Sequence, residues 1–260
     1  MTDAWDPGQY ERFKDERTAP FHDLLDLMSP VPGGDVVDLG CGTGELTQLL
    51  HARMQARRTV GIDSSPAMLD QAKMVEADGV MFGEGDIAAF EEVGAWDVVA
   101  ANASLQWVPD HDAVLERWTR SLRPGGQLAV QVPSNADHPS HLVLAAVAAS
   151  PEFSSAFGGV PPPDPVRRVL RPEQYAEALD RLGYVEQHVR LQVYGHHLAT
   201  SADVVEWLKG TSLTRFRSVM DVESYERLVE RYRARLLDVI GDRRPYFYAF
   251  KRVLMWGRRP

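Results

Sequence analysis

The stretch VVDLGCGTGELTQLL, residues 36–50, decides the fold of this 260-residue chain. Its apolar start, VVDL, is typical of a short buried strand, and ELTQLL begins a helical pattern. Three glycines, Gly40, Gly42 and Gly44, lie between the two. Glycines remove side chains where the backbone must approach a ligand closely, and the N–H groups of the following helix would face that ligand. The stretch therefore indicates a ligand-binding turn, although a tight strand-to-helix connection would use the same residues.

Short apolar runs alternate with helical patterns along the first half of the chain. The strand-like runs, in chain order, are VVDL, TVGI, VMFGE, WDVVAA and QLAVQV. This alternation predicts βαβ units and a doubly wound α/β fold with a mostly parallel sheet. Beyond the Gly/Pro-rich stretch at 158–165, GGVPPPDP, which is typical of a boundary or a mobile loop, the pattern is mainly helical. Two further strands are predicted there, in YVEQHVRLQVYGHHL and YFYAFKRVLMWGRR.

The composition is that of an ordinary globular protein, with 44% hydrophobic and 25% charged residues. No apolar stretch approaches the roughly 20 residues of a membrane span, and the N-terminus lacks a secretory signal pattern. Cys41 is the only cysteine, so we expect no intrachain disulfide and a reducing, cytoplasmic location. Residues 1–159 carry 10 Lys/Arg and 24 Asp/Glu, and residues 160–260 carry 18 and 13. The acidic first half argues against nucleic-acid binding. The basic second half would suit binding of a small anion, although the asymmetry could equally reflect chance variation among surface helices.

The spacing of the glycines and acids distinguishes between kinds of ligand. A dinucleotide-binding turn reads G-x-G-x-x-G, but Glu45 occupies its third glycine position here. Asp38, just before the turn, would repel phosphate and favours a positive or amine-bearing ligand. Asp63 ends the second predicted strand, where doubly wound folds place an acid on ribose hydroxyls, although it could also cap a helix. Asp86, after the third strand, lies where an adenine amino group would reach, although acids are common in turns.

With these residues the chain resembles the class I S-adenosylmethionine-dependent methyltransferases over roughly residues 36–132. The resemblance rests on DLGCGTG followed by IDSS at the right interval. It implies a Rossmann-like, seven-stranded, mostly parallel sheet, with S-adenosyl-L-methionine as cofactor and S-adenosyl-L-homocysteine as product. Cys41 is interpreted as a small packed residue of the turn and not as a nucleophile. The cofactor-binding residues that the resemblance implies are Asp38, Gly40, Cys41, Gly42 and Gly44 (methionine side), Asp63 (ribose), Ser64 and Met68 (adenosine), Asp86 and Ile87 (adenine), and Asn102.

A narrower resemblance covers most of the chain. The segments WDPGQYERFKDERTAPFHDLL, IDSSPAML, ANASLQWVPDH, VYGHHL and VVEWLKGTSL are similar to the trans-aconitate 2-methyltransferase family. This resemblance implies esterification of one carboxylate of a small unsaturated tricarboxylate, giving a monomethyl ester. A carboxylate with a pKa of about 4 is already ionised at neutral pH, so neither a general base nor a metal is required. DNA amino-methylases have an acid or Asn followed by Pro-Pro-Tyr or Pro-Pro-Phe where this chain has Asn102-Ala103-Ser104, which disfavours base methylation.

A polyanionic acceptor needs cationic and hydrogen-bonding anchors, and the planar fork of arginine binds carboxylates bidentately. We expect Gln106 and Trp107 to position the acceptor beside the methyl group, although Trp107 could instead be part of the core. For each arginine the alternative is a solvated surface cation, and for His196 it is a structural place at a strand end. The candidate anchors are Tyr10, Arg17, His22, Tyr194, His196, Arg215 and Arg217.

The expected organisation is a single methyltransferase domain over residues 1–260, with a helical N-terminal cover and a C-terminal helical insertion. Residues 36–132 would form the cofactor-binding core, and segments 1–30, 134–170 and 195–242 the acceptor-site cover. We expect a monomer whose partner is a small anionic carboxylate, without nucleic acid or membrane. Three alternatives stay open: a malonyl-carrier-protein carboxyl methyltransferase, a natural-product O-methyltransferase, and a non-catalytic S-adenosylmethionine-binding protein.

Overall fold

The structure is a computed structural model that describes residues 14–260, with side chains from residue 18 onward. Helices and strands are numbered from residue 14. The helices are α1 Lys14–Leu25, α2 Glu45–Met54, α3 Pro66–Ala72, α4 His111–Ser121, α5 Pro139–Ala148, α6 Pro151–Ser154, α7 Pro172–Arg181, α8 Asp203–Lys209, α9 Thr214–Arg217 and α10 Val222–Ile240. The strands are β1 Asp35–Leu39, β2 Arg58–Asp63, β3 Val80–Glu84, β4 Trp96–Asn102, β5 Leu122–Pro133, β6 Glu186–Leu198 and β7 Tyr246–Arg258.

These seven strands form one sheet in the order β3-β2-β1-β4-β5-β7-β6. The pairs β2–β3, β1–β2, β1–β4 and β4–β5 are parallel, and β5–β7 is antiparallel. The predicted doubly wound, mostly parallel sheet is confirmed, as are the two strands predicted in the second half. From β1 the chain adds β2 and β3 on one side and then crosses to β4 on the other. In such sheets ligands bind beyond the carboxyl ends of the strands at this reversal, here beside β1 and β4.

The chain divides into two compact units. Unit A comprises residues 15–133, 168–192 and 252–260, and unit B contains residues 134–167 and 193–251. The core of unit A is built on β1, β4 and β5, whose apolar residues pack with Trp118 of α4 and Tyr175 of α7. All five residues of β1 are buried. The sequence of a strand that is buried on both faces is a nearly continuous apolar run. VVDL and WDVVAA therefore lack a polar–apolar alternation.

Unit B has its own core, which combines aliphatic side chains with a cluster of aromatic ones. Trp207 of α8 packs edge-on against Tyr248 of β7, with ring centroids 5.6 Å apart. The long helix α10 follows Asp221, whose side chain accepts a hydrogen bond from the Ser224 N–H, and it ends at Gly241, where φ is 76°. An acidic cap at the start and a glycine at the end thus bound this helix, in the region where the sequence predicts mainly helices.

Helical structure near the N-terminus is also observed. α1 begins at Lys14; the predicted segments before it lie outside the described residues. Phe21 and Leu24 of α1 are buried, and Ser29 exchanges two hydrogen bonds with the Gln127 amide of β5, at 2.9 and 2.8 Å. Within residues 14–260, no helix combines the length and apolarity that crossing a membrane would demand.

A buried acid at the amino end of β1 ties several segments of unit A together. The Asp35 side chain is 2% exposed and is paired with Arg57 at 2.8 Å, Arg123 at 2.9 Å and Arg58 at 3.3 Å. Burial alone would raise the pKa of Asp35, but the hydrogen bonds of Arg57 and Arg123 and the charge of Arg58 outweigh it, so the pKa lies below its usual value. Such a carboxyl stabilises the fold at pH values above about 3.9, the pKa that it has in the unfolded chain. This contribution is lost as the pH falls through the lower pKa of the folded state.

We expect Asp35→Asn to lower the free energy of unfolding at pH 7 by about 1–3 kcal/mol, because the charge-assisted hydrogen bonds from Arg57 and Arg123 are lost. Chemical denaturation measures this loss, which should shrink as pH falls below about 4. Asp26→Asn is the control: its pair with Arg53 joins side chains that are 72% and 46% exposed, so it should change stability by less than about 0.5 kcal/mol. Equal losses in the two variants would contradict the role of Asp35.

Candidate active site

The three glycines after β1 all have positive φ, but they differ in what a side chain would meet. A Cβ on Gly40 would overlap the Ser104 side chain, and a Cβ on Gly44 would lie 2.5 Å from the Phe82 ring. A Cβ on Gly42 would meet no atom of the described residues within 4 Å. Packing therefore requires glycine at Gly40 and Gly44. At Gly42 the side-chain space is open, as close approach of a ligand to the backbone would need.

Ser104 joins the carboxyl ends of β1 and β4. Its hydroxyl donates a hydrogen bond to the Leu39 carbonyl oxygen at 2.5 Å. The preceding residue, Ala103, has φ of 54° and donates its N–H to the Gln131 carbonyl oxygen at 2.8 Å. The backbone after β4 is thus fixed to both neighbouring strands.

Asp38 provides a buried acid directly before the turn. It is 3% exposed, and its Oδ2 accepts a hydrogen bond from Thr47 Oγ1 of α2 at 2.6 Å. Burial raises the pKa of Asp38 to about 6; the Thr47 hydrogen bond opposes the rise, and the charge of Asp63 adds to it. At pH 7 the side chain is mainly ionised, so it places negative charge beside the turn.

Asp63, at the end of β2, holds two backbone segments. Its Oδ2 accepts from the Gly42 N–H and its Oδ1 from the Ser65 N–H, each at 2.9 Å. Ser65 itself caps α3 by accepting from the Met68 N–H at 3.3 Å. A carboxylate has about four lone-pair sites, so Asp63 supports the turn and retains capacity for ligand hydroxyls. Met68 is buried and Ser64 is exposed.

Asp86 and Ile87 follow β3 in a loop whose backbone is fixed. Asp86 is exposed, and its Oδ1 accepts from the Ala88 N–H at 2.9 Å. The Ile87 carbonyl accepts from the indole N–H of Trp118, also at 2.9 Å. These bonds hold the loop against α4 and keep Asp86 at the surface.

Cys41 is a packed residue of the turn, 8% exposed. Burial, and then the charges of Asp38 and Asp63, raise the pKa of its thiol. A thiolate nucleophile is therefore disfavoured at this position.

Two buried oxygens near the end of β4 lack a hydrogen-bond donor. Gln106 is 4% exposed, and its Nε2 donates to the Ala103 carbonyl oxygen at 2.6 Å. Among the described residues no donor reaches Gln106 Oε1 or Asn102 Oδ1, and both atoms are buried. A buried acceptor without a donor costs about 1–3 kcal/mol, so a ligand that donates here would be stabilising. Trp107 is half-buried, and its carbonyl oxygen accepts from Arg168 Nη1 at 2.9 Å.

The predicted acceptor-binding residues have different surroundings. Tyr10 and the side chain of Arg17 lie outside the part of the chain that is described, and His22 of α1 is exposed. In unit B, Tyr194 is half-buried, whereas His196 is 8% exposed and its ring centroid lies 5.2 Å from that of Trp207. Arg217 is exposed and lines a groove of about 560 Å³ that also contains Lys209, Arg233, Glu226 and Glu230.

Arg215 is buried and is not a solvated surface cation. Its side chain is 9% exposed, and Nη1 lies 2.8 Å from Oδ1 of Asp164, which is 3% exposed. Asp164 Oδ2 lies 3.2 Å from His141 Nδ1. The sequence analysis did not select Asp164, His141 or the nearby Tyr232. The sequence carries no signal for Asp164, because Gly/Pro-rich loops such as GGVPPPDP are usually exposed and the burial of this acid depends on the fold. In the described residues no cluster of His, Cys, Asp or Glu is arranged to hold a metal ion.

Comparisons with known proteins show what this chain is similar to. A family model described as "Methyltransferase domain" matches residues 36–126. Trans-aconitate 2-methyltransferase of Deinococcus radiodurans is 43% identical, covering 99% of each chain. The protein of the same name from Methylobacterium nodulans is 38% identical, covering 90% of this chain and 89% of its own.

Solved structures share the fold at low sequence identity. Phosphoethanolamine N-methyltransferase 2 of Haemonchus contortus, in complex with S-adenosyl-L-methionine, has a TM-score of 0.55 and 17% identity, covering 93% of this chain and 52% of that one. An S-adenosylmethionine-dependent methyltransferase from Mesorhizobium loti has a TM-score of 0.52 and 19% identity, covering 93% and 98%. The fold is that of the class I methyltransferases.

We expect Thr47→Val to raise the pKa of Asp38 above about 6, because valine keeps the shape but removes the hydroxyl that stabilises the charged form. Carboxyl ¹³C NMR titration measures this pKa. Thr119→Val is the control, since the Thr119 hydroxyl is also buried but donates to the Leu115 carbonyl oxygen at 2.7 Å. An unchanged or lower Asp38 pKa in Thr47→Val would remove Thr47 from this role.

Proposed function

Because the chain belongs to the trans-aconitate 2-methyltransferase family, we propose that it transfers a methyl group from S-adenosyl-L-methionine to one carboxylate of trans-aconitate or a related small polycarboxylate. The products would be a monomethyl ester and S-adenosyl-L-homocysteine. The observation that carries this acceptor is the 43% identity with the Deinococcus relative across 99% of both chains. That similarity extends well beyond residues 36–126, which the general methyltransferase model matches.

The residues beyond β1, β2 and β4 suit S-adenosylmethionine. The open side-chain space at Gly42 and the donor-free oxygens of Asn102 and Gln106 support the fit. When bound, the cofactor supplies an electrophilic methyl group on a sulfonium. The residues that would hold it are Asp38, Gly40, Cys41, Gly42, Gly44, Asp63, Ser64, Met68, Asp86, Ile87 and Asn102.

No side chain needs to remove a proton from a carboxylate acceptor, which is ionised at neutral pH. The task of the protein is then to align the reacting groups, which can contribute about 7–11 kcal/mol, and to exclude water. We assign positioning roles to Gln106 and Trp107. The amide of Gln106 is fixed by its bond to the Ala103 carbonyl oxygen, and the Trp107 backbone by Arg168.

The acceptor's remaining carboxylates require cationic anchors. Arg215 is favoured over Arg217 because its charge is buried, where electrostatic attraction is screened less by water. The segments 1–30, 134–170 and 195–242 are assigned to the acceptor-site cover, and the protein is assigned to the cytoplasm as a monomer. The other candidate anchors stay as proposals: Tyr10, Arg17, His22, Tyr194, His196 and Arg217.

Mass spectrometry of products from a panel of acceptors tests the function. We expect a monomethyl ester from trans-aconitate with S-adenosylmethionine, and less or none from citrate, tricarballylate and a malonyl carrier protein. Esterification of the carrier protein alone would favour the carboxyl methyltransferase alternative. Cofactor binding without ester from any acceptor would point to a non-catalytic binding protein.

We expect Gly42→Asn to weaken S-adenosylmethionine binding on the order of 10-fold or more, measured by isothermal titration calorimetry. Asn tolerates the left-handed conformation, and its Cβ would meet no atom of the described residues within 4 Å at φ 57°. Gly183→Asn is the matched control, because Gly183 has φ 83° and equally open surroundings at the end of α7. Equal cofactor affinity in the two variants would place the ligand elsewhere.

A further inference from the structure

We propose that unit B contains a buried binding site for a carboxylate group of the acceptor, one that is not methylated in the reaction. Arg215 and Tyr232 are its hydrogen-bond donors. The identity of the ligand rests on the proposed function. The site itself rests on the burial, hydrogen bonding and charge of four residues: Arg215, Tyr232, Asp164 and His141.

Arg215 is buried, but its donors are not saturated. Nη1 is ion-paired with Asp164 Oδ1 at 2.8 Å, and Nε has no acceptor among the described residues. A guanidinium carries five N–H groups on more than one edge, so it can pair with Asp164 and still donate to another carboxylate. Each buried donor without an acceptor costs about 1–3 kcal/mol, which a ligand oxygen would offset.

Tyr232 provides a second donor beside the same acid. It is fully buried in the unit B core, and its hydroxyl has no partner in the described part of the chain. Buried tyrosine hydroxyls usually find a hydrogen-bond partner, so this one is an exception that needs a cause. Burial, and then the charges of Tyr248 and Asp164, raise the pKa of Tyr232 well above its usual value. The hydroxyl therefore keeps its proton and remains a donor.

Asp164 is held rigidly and stays ionised. Its Oδ2 lies 3.2 Å from His141 Nδ1, and its Oδ1 accepts from the Val166 N–H at 3.2 Å. Burial would raise the pKa of Asp164, but the hydrogen bond from His141 and the charges of His141 and Arg215 lower it to about 2. Asp164 and His141 thus act as positioning residues that fix the guanidinium.

The charges around Arg215 favour an anion. Burial lowers the pKa of Arg215, Asp164 raises it, and the charge of the exposed Arg167 lowers it, so one carboxylate and one further guanidinium act on Arg215. A water molecule would satisfy a donor but would bring no negative charge. A carboxylate of the acceptor provides both hydrogen-bond-accepting oxygens and negative charge. A polycarboxylate retains at least one free carboxylate after another has been methylated.

Tyr232→Phe tests the site because its effects on stability and on binding should have different signs. Removing an unpaired buried hydroxyl should leave the free energy of unfolding unchanged or raise it. The KM for trans-aconitate, and the Kd of tricarballylate measured by calorimetry, should rise on the order of 10-fold. The Kd of S-adenosylmethionine should not change.

Tyr175→Phe is the matched control in the core of unit A. The Tyr175 hydroxyl lies 2.7 Å from His111 Nδ1 and accepts from the Leu170 N–H at 3.2 Å, so this variant should lose stability and keep its acceptor affinity. Arg215→Lys is a second probe of the site. Lysine keeps the charge beside Asp164 but lacks the fork, so the acceptor KM should rise more than kcat falls.

The outcomes separate this site from the proposed function. If the wild type forms the ester and Tyr232→Phe keeps the same acceptor affinity, the proposed site is wrong and the proposed function stands. The Tyr232 hydroxyl would then be bonded only by water. Tricarballylate binding that depends on Tyr232, without ester formation from any acceptor, would support the site and contradict the function. Loss of both ligands in Tyr232→Phe would mean a disrupted fold and would also contradict the proposal.

Discussion

The close approach of Gly40 to Ser104 is the contact on which the geometry of the active-site end of the sheet depends. Any side chain on Gly40 would overlap the Ser104 side chain, whose hydroxyl is bonded to the β1 backbone. The ends of β1 and β4 are therefore fixed relative to each other. Asp38, on one of these strands, and Asn102, on the other, are placed by this contact beside the same turn.

Asp63 shows how one side chain can serve fold and ligand together. It bonds the N–H groups of Gly42 and Ser65, so it stabilises the turn and the start of α3 before any ligand is present. A preorganised carboxylate loses little side-chain entropy when a ligand binds, and this preserves affinity. The same arrangement means that substitution of Asp63 affects local structure as well as binding.

The sequence was sufficient to predict the parallel sheet, the glycine turn and the acids at the strand ends, because these features are encoded by residues close together in the chain. Hydrophobic period and glycine spacing report local conformation. The pairing of Asp164 with Arg215 and His141 was not predictable, because it joins three separate segments of unit B. The sequence also gave no indication that only Gly42 of the three glycines has open side-chain space, since that depends on where Ser104 and Phe82 fold back.

Two buried acids illustrate how structural and functional ion pairs differ. Asp35 is surrounded by three arginines whose charged groups also reach solvent, with 37–69% of each side chain exposed. Arg58 Nε is also without an acceptor among the described residues, but the Arg58 side chain is 43% exposed, so the charge of this cation is hydrated. Around Asp164 the side chain of the cation is only 9% exposed, and its Nε has no acceptor among the described residues. Incomplete hydrogen bonding in a buried cluster, more than the presence of charge, is the feature that points to a ligand.

The strand order also constrains how the molecule is assembled. β6 lies at the edge of the sheet and borders only β7, yet β7 follows it in the chain after three intervening helices. During synthesis on a ribosome, the first five strands can pair as they emerge, whereas β6 has no neighbour until β7 has been made and inserted beside β5. Such a long-range pairing is slow to form and leaves strand edges exposed in the meantime. The nascent chain therefore passes through a stage in which the open edge of β5 is accessible to chaperones or to other chains.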